Sequence, residues 1–168
     1  MQIRQIPVSE PDAACSFDSL PVFQLTFFPK APGHDLPFAQ ARMYAERGRS
    51  LFLRLNAYEV GAPAGSRFLA EFAGLRLTVT PDGFTAEKDG STVEHPLIRV
   101  SPIRGEDLQG EFWGAVLQLP LTVLRETVPG ARLEPGERIP LRLRMEQDTT
   151  GYAAELFEGV GSLELAAF

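Results

Sequence analysis

Residues that build reactive or cross-linked sites are scarce in this chain. Among 168 residues there is one cysteine (Cys15), two histidines (His34 and His95) and one tryptophan (Trp113). A single cysteine closes no internal disulfide and builds no cysteine-ligated zinc site. His34 sits in a Pro/Gly-rich stretch and His95 precedes Pro96, with no partner at metal-ligand spacing. Cys15 has no histidine and orienting group beside it, so nucleophilic catalysis is not expected. Basic charge is also short. Lys and Arg number 16 against 22 Asp and Glu, a net charge of -6, which argues against a nucleic-acid partner. Glycines fall into no GxGxxG or phosphate-loop pattern, so no nucleotide cofactor is expected. No run approaches the roughly 20 apolar residues of a membrane helix. Residues 1–15 contain no apolar signal core, so the expected location is cytoplasmic.

What the chain does have is alternation. Hydrophobic residues make up 44% and charged residues 23%, an ordinary balance for one globular domain of this length. The 14 prolines and 15 glycines fall between short apolar runs, as they do where strands are joined by turns. The clearest run is 50–59, where Leu51, Leu53, Leu55 and Ala57 alternate with Phe52, Arg54, Asn56 and Tyr58. Successive side chains of a strand point to opposite faces, so the first set is a core stripe. Glu59 breaks the stripe where the strand should end. Strands are also expected over 22–28, 38–46, 67–72, 75–79, 84–87, 92–100, 112–119, 138–145, 152–157 and 163–168. Pro96 marks the 92–100 run as an edge strand or a bulge. Pro81-Asp82-Gly83 and Asp89-Gly90 read as hairpin turns, with Gly83 at positive φ, and 121–126 as a single helical turn.

The expected fold is therefore all-β: a single-domain, mostly antiparallel β-sandwich of jelly-roll or immunoglobulin-like type. It has about nine or ten strands, few short helical turns, and spans 20–168 after an N-terminal extension, 1–20. Its core should contain Leu53, Leu55, Phe72, Leu77, Trp113, Leu117, Leu141 and Leu143. Trp113, in phase with Ala115, Leu117 and Leu119, is expected inside as well.

Phe52, Arg54, Asn56 and Tyr58 share the outer face of their strand. Two readings stand side by side. Rings with a few polar groups suit a small-molecule site, while an antiparallel sheet commonly leaves one face in water. Arg142 and Arg144 are candidates for the same sheet. Glu59 and Glu71 are the carboxylates placed to approach each other across strands. Glu106 and Asp107, being adjacent, should point apart.

Two segments, LFLRLNAYE at 51–59 and WGAVLQLPLTVL at 113–124, followed by Pro129-Gly130 and the strand 139–145, resemble family-9-type carbohydrate-binding modules and the related DOMON-like sandwiches. The resemblance implies a sandwich with a sugar-binding concave face and no catalysis. It implies ligand-binding roles for Phe52, Arg54, Asn56, Tyr58, Arg142 and Arg144. Tyr58 would stack under a sugar ring, and Arg54 and Asn56 would bond its hydroxyls. The chain has one Trp where such modules clamp a ring between two, and no acidic cluster for calcium, so no metal or cofactor is expected. The alternative is a protein–protein or dimerisation module using an exposed Phe52/Tyr58 patch; an oligomer is compatible with it.

Overall fold

A computed structural model describes residues 2–13, 15–30 and 38–167. Among these lie fourteen strands: β1 (Ile3–Ser9), β2 (Phe23–Gln24), β3 (Phe27–Lys30), β4 (Phe38–Glu46), β5 (Ser50–Tyr58), β6 (Ser66–Phe72), β7 (Leu75–Thr80), β8 (Gly83–Lys88), β9 (Ser91–Val93), β10 (Arg99–Asp107), β11 (Gly110–Pro120), β12 (Arg138–Gln147), β13 (Tyr152–Glu155) and β14 (Gly161–Ala167). The helical pieces are a 3-10 turn at Phe17–Ser19 and α1 (Leu121–Leu124). The fold is all-β. No described helix is long and apolar enough to cross a membrane.

The central strands carry many Ala residues, which strands tend to avoid, so packing decides the structure here more than propensity does. β5 buries Leu51, Leu53, Leu55 and Ala57 completely. Its neighbours complement it in size. Leu55 faces Ala41 of β4 and Ala115 of β11, and the small Ala57 faces Trp113. All eight residues expected in the core are at most 1% exposed.

The strands form one continuous sheet in the order β10-β11-β5-β4-β1-β14-β12-β6-β7-β8-β9. β2 is added beside β4; β13 is added beside β12, and β3 beside β13. β12 turns the corner, since residues 138–141 pair with β14 while 142–147 pair with β6. Phe68 of β6 meets Trp113 of β11 at 5.5 Å between ring centres, although six places separate their strands in the order. The sheet is thus curled around a single core. β10 comes back near β8 without pairing to it, which leaves a half-barrel.

Several expectations are corrected. The sheet is one curled, mixed sheet of fourteen strands rather than nine or ten in two antiparallel layers, because β12 is long enough to belong to both arms. Residues 1–20, expected as an extension, supply β1, which lies inside the sheet and runs parallel to both β14 and β4. Pro7 hides it in the sequence, since a proline demotes a run as a strand. Accordingly, the pairing of β1 with β4 begins only at Val8, while Ile6 and Val8 reach the core. The 22–28 run is split into β2 and β3. The 92–100 run is split around Pro96 into β9 and β10, which sit at opposite ends of the strand order. Asp89 and Gly90 take φ of 51° and 84°, the pair of positive angles a two-residue hairpin of the primed type needs. Gly83 opens β8 instead of sitting at positive φ. Residues 29 and 30 belong to β3, and the Pro/Gly-rich stretch that follows, with His34, lies outside the described residues.

Candidate functional site

The turn at 47–49 joins β4 to β5 and sets their register: Gln40 opposite Asn56 and Arg42 opposite Arg54. All four lie on the outer face. On the other flank Gly114 of β11 stands opposite Asn56. A Cβ on Gly114 would lie 1.7 Å from the Leu55 carbonyl oxygen, so the two main chains approach too closely for any side chain there. The floor beside Asn56 is therefore bare. The β10–β11 hairpin brings Glu106, Asp107 and Phe112 over the far end. The 3-10 turn brings Asp18 over the near end. The result is a cavity of about 270 Å³ lined by these residues and Ala41.

Two of the six expected ligand residues, Arg54 and Asn56, line this cavity. Phe52 lies flat on Tyr44 at 4.7 Å and 7°. Tyr58 meets the Phe112 ring edge-on at 5.8 Å and is a strut in the wall. Its hydroxyl donates to Asp107 Oδ2 at 2.7 Å and accepts from Gln40 Nε2 at 3.2 Å. Burial, followed by that bond to Asp107, raises its pKa. The reciprocal bond from Tyr58, then the Gln109 N–H, lowers that of Asp107. Arg142 and Arg144 do not close this groove. They sit on β12, four places from β5 in the strand order. Arg142 Nε is 2.9 Å from Glu155 Oε1, and Arg144 Nε is 2.9 Å from Glu146 Oε1. Alternation gave their side of the strand, but the neighbours of β12 are β6, β13 and β14.

The cavity's hydrogen bonding is incomplete. Arg42 and Arg54 are like charges placed directly opposite each other, an arrangement that destabilises a sheet. Asp18 Oδ1 lies 3.4 Å from Arg42 Nη1 and 3.9 Å from Arg54 Nη1. Asn56 is only 6% exposed, yet its Oδ1 has no hydrogen-bond partner; neither has Arg42 Nε. Buried polar atoms in native proteins are nearly always bonded, so such exceptions need a cause.

A second polar cluster lies on the inner face. Glu59, just past the end of β5, is buried at 7% exposure. Its carboxylate accepts from Trp113 Nε1 at 2.9 Å, from Ser66 Oγ at 3.0 Å and from Gln147 Nε2. Thr150 Oγ1 in turn donates to Gln147 Oε1 at 2.6 Å. Burial raises the Glu59 pKa against the lowering effect of the Trp113 and Ser66 bonds. Burial and the charge of Glu59 push the Tyr152 hydroxyl up to about 12. Glu59 does not meet Glu71, which is 3.4 Å from Arg76 Nε. β5 and β6 are not neighbours, so that pairing is not made.

Elsewhere, burial raises the Cys15 pKa, which weakens it as a nucleophile. His95 Nε2 is 3.7 Å from Glu126 Oε1. Among the described residues no three His, Cys, Asp or Glu are grouped to hold a metal ion. Sequence reasoning missed Asp18, Gln40, Arg42, Glu106, Asp107 and Phe112 as lining residues. No protein-family model matches the chain, and no curated protein sequence matches it.

Proposed function

We propose that this chain is a non-catalytic binding module that holds one unit of a sugar in the cavity over β4, β5, β10 and β11. The observation that carries this reading is Asn56 Oδ1, buried in the cavity floor without a partner. An unmade bond of that kind costs about 1–3 kcal/mol, which a ligand hydroxyl donating to it would recover. The remaining lining suits the same ligand. Arg42 and Arg54 donate, Glu106 and Asp107 accept, and Phe112 offers an apolar wall to the C–H face of a ring. A volume of about 270 Å³ accommodates a single ring.

The cavity lining has no His, Cys, Ser or Lys, and the proposal reads its carboxylates, Asp18, Glu106 and Asp107, as groups that bind rather than react. Asp107, with its lowered pKa, is an acceptor at neutral pH and not a proton donor. The resemblance of 51–59 and 113–124 to family-9-type modules supports the sugar reading. In that reading the arm with β4, β5 and β11 and the arm with β6, β7 and β8 act as the two faces of a sandwich continuous through β12. The alternative, a protein-binding or dimerisation patch on Phe52 and Tyr58, draws less support, because those rings pack on Tyr44 and Phe112.

Titration calorimetry with mono- and oligosaccharides tests the proposal on wild type, Asn56→Ala and Arg54→Ala. Millimolar binding, about 4 kcal/mol, is expected for wild type, with its loss in Asn56→Ala and weaker binding in Arg54→Ala. A wild type that binds no sugar, or variants that bind it unchanged, would reject the site.

A further inference from the structure

We infer that the ligand of this cavity is an acidic sugar, a uronate, whose carboxylate is held by Arg42 and Arg54; the inference rests on the sugar-binding reading above. The free protein already places a carboxylate there. Asp18 lies across both guanidiniums, but at 3.4 and 3.9 Å. The ion pairs Arg67–Glu146 and Arg142–Glu155 close to 2.6 and 2.9 Å. The Asp18 side chain is 86% exposed, on a three-residue turn. That turn is tied to the sheet by Arg42 Nη1 donating to the Phe17 carbonyl at 3.0 Å and by the edge of Phe17 on Tyr44 at 5.3 Å. Asp18 is thus a loose occupant of a strong position.

Two guanidiniums in register offer more donors than one distant carboxylate uses, and Arg42 Nε is left unbonded. A ligand carboxylate lying between the two planar forks would accept paired, charge-assisted bonds from them. Displacing Asp18 exchanges one negative charge for another, so the balance with Glu106 and Asp107 is kept. Those two carboxylates only accept. They favour hydroxyls at the far end and disfavour a second acid there. One carboxylate with several hydroxyls on one ring is the chemistry of a uronate.

The test compares glucuronate and galacturonate with glucose, galactose and glucosamine by calorimetry, on wild type, Asp18→Asn, Arg54→Met and Asn56→Ala. Uronates should bind wild type about tenfold or more tighter than their neutral parents, as a charge-assisted pair warrants. Added salt should weaken uronate binding more than neutral-sugar binding. Arg54→Met should erase the preference for uronates. Asp18→Asn should tighten uronate binding several-fold and shift neutral-sugar binding by much less. The inference falls alone if neutral sugars or glucosamine bind as tightly as uronates while Asn56→Ala still abolishes that binding. It falls as well if Asp18→Asn weakens uronate binding. If no sugar of any kind binds, the sugar reading has failed and takes the inference with it.

Discussion

The same two strands carry two polar clusters on opposite faces, and the two are built in opposite ways. β11 turns Trp113 inward and Phe112 outward. β5 turns Asn56 and Tyr58 outward and leads, one residue past its end, to the inward Glu59. The inner cluster is closed: both Glu59 oxygens accept, and the amide of Gln147 is bonded at both ends. It joins β5 to β6, β11 and β12, strands from both arms of the curl. The outer cluster is open. Two guanidiniums share one exposed carboxylate, and a buried amide oxygen has no partner. A buried polar group that completes its bonds inside the protein serves the fold, whereas one left incomplete over a cavity points to a ligand.

The hardest blow to both clusters at once is Gly114→Ala. The new methyl would sit 1.7 Å from the Leu55 carbonyl oxygen, and main chain cannot yield as a flexible side chain does. The expected loss exceeds about 4 kcal/mol, in the range reserved for severe backbone or packing faults. Urea unfolding, or a failure to recover folded protein, measures it. A variant as stable as wild type would show that β5 and β11 are spaced differently.

Next in size is Glu59→Leu. It leaves the Trp113 N–H, the Ser66 hydroxyl and the Gln147 amide without their acceptor, at a cost of about 2–4 kcal/mol. Trp113→Phe removes one donor and keeps most of the ring, so about 1–2 kcal/mol is expected. Glu59 also has a signature in pH. Burial raises its folded-state pKa above the unfolded 4.5, so the folded protein holds that proton more tightly. Its contribution is full below 4.5 and is lost as pH rises through the folded value. Wild type should therefore lose stability relative to Glu59→Gln as pH rises toward neutral. Parallel unfolding curves at every pH would mean that Glu59 is not desolvated.

How far these clusters were legible follows from what alternation encodes. Period 2 separates inside from outside, so Leu53, Leu55, Trp113 and Leu143 were readable as core. Half of the cavity floor was also within reach. The β4–β5 hairpin is symmetric about Gly48, which sets Arg42 opposite Arg54 and Gln40 opposite Asn56 by counting outward from the turn. Alternation does not encode which strands are neighbours. Arg142 and Arg144 were therefore given the right kind of face on the wrong arm. Asp18 and Asp107 come from a short turn and a strand end, where no period exists. The Tyr58–Asp107 bond spans 49 residues and depends on β10 folding back over β11 and β5. β1 was missed because the one residue that interrupts its pattern, Pro7, is tolerated where its neighbour β4 has not yet begun to pair.

The smallest expected effect is the sharpest test of the contrast, because the outer cluster should hardly matter to stability. Asn56→Ala removes a buried acceptor that has no bond to lose, and that relief offsets the lost contact between its amide and the Tyr58 hydroxyl. The net change should stay within about 0.5 kcal/mol, although Asn56 is as buried as Glu59. Arg54→Met should be neutral or slightly stabilising. It ends a like-charge pairing with Arg42 that costs about 0.2–1 kcal/mol, and it gives up a long contact to an exposed Asp18 worth no more than about 1 kcal/mol. Both are read from the same urea curves as Glu59→Leu. A loss above about 1 kcal/mol in Asn56→Ala would mean that its amide oxygen is bonded in solution. The outer cluster would then be a second structural staple, and the grounds for placing a ligand there would go with it.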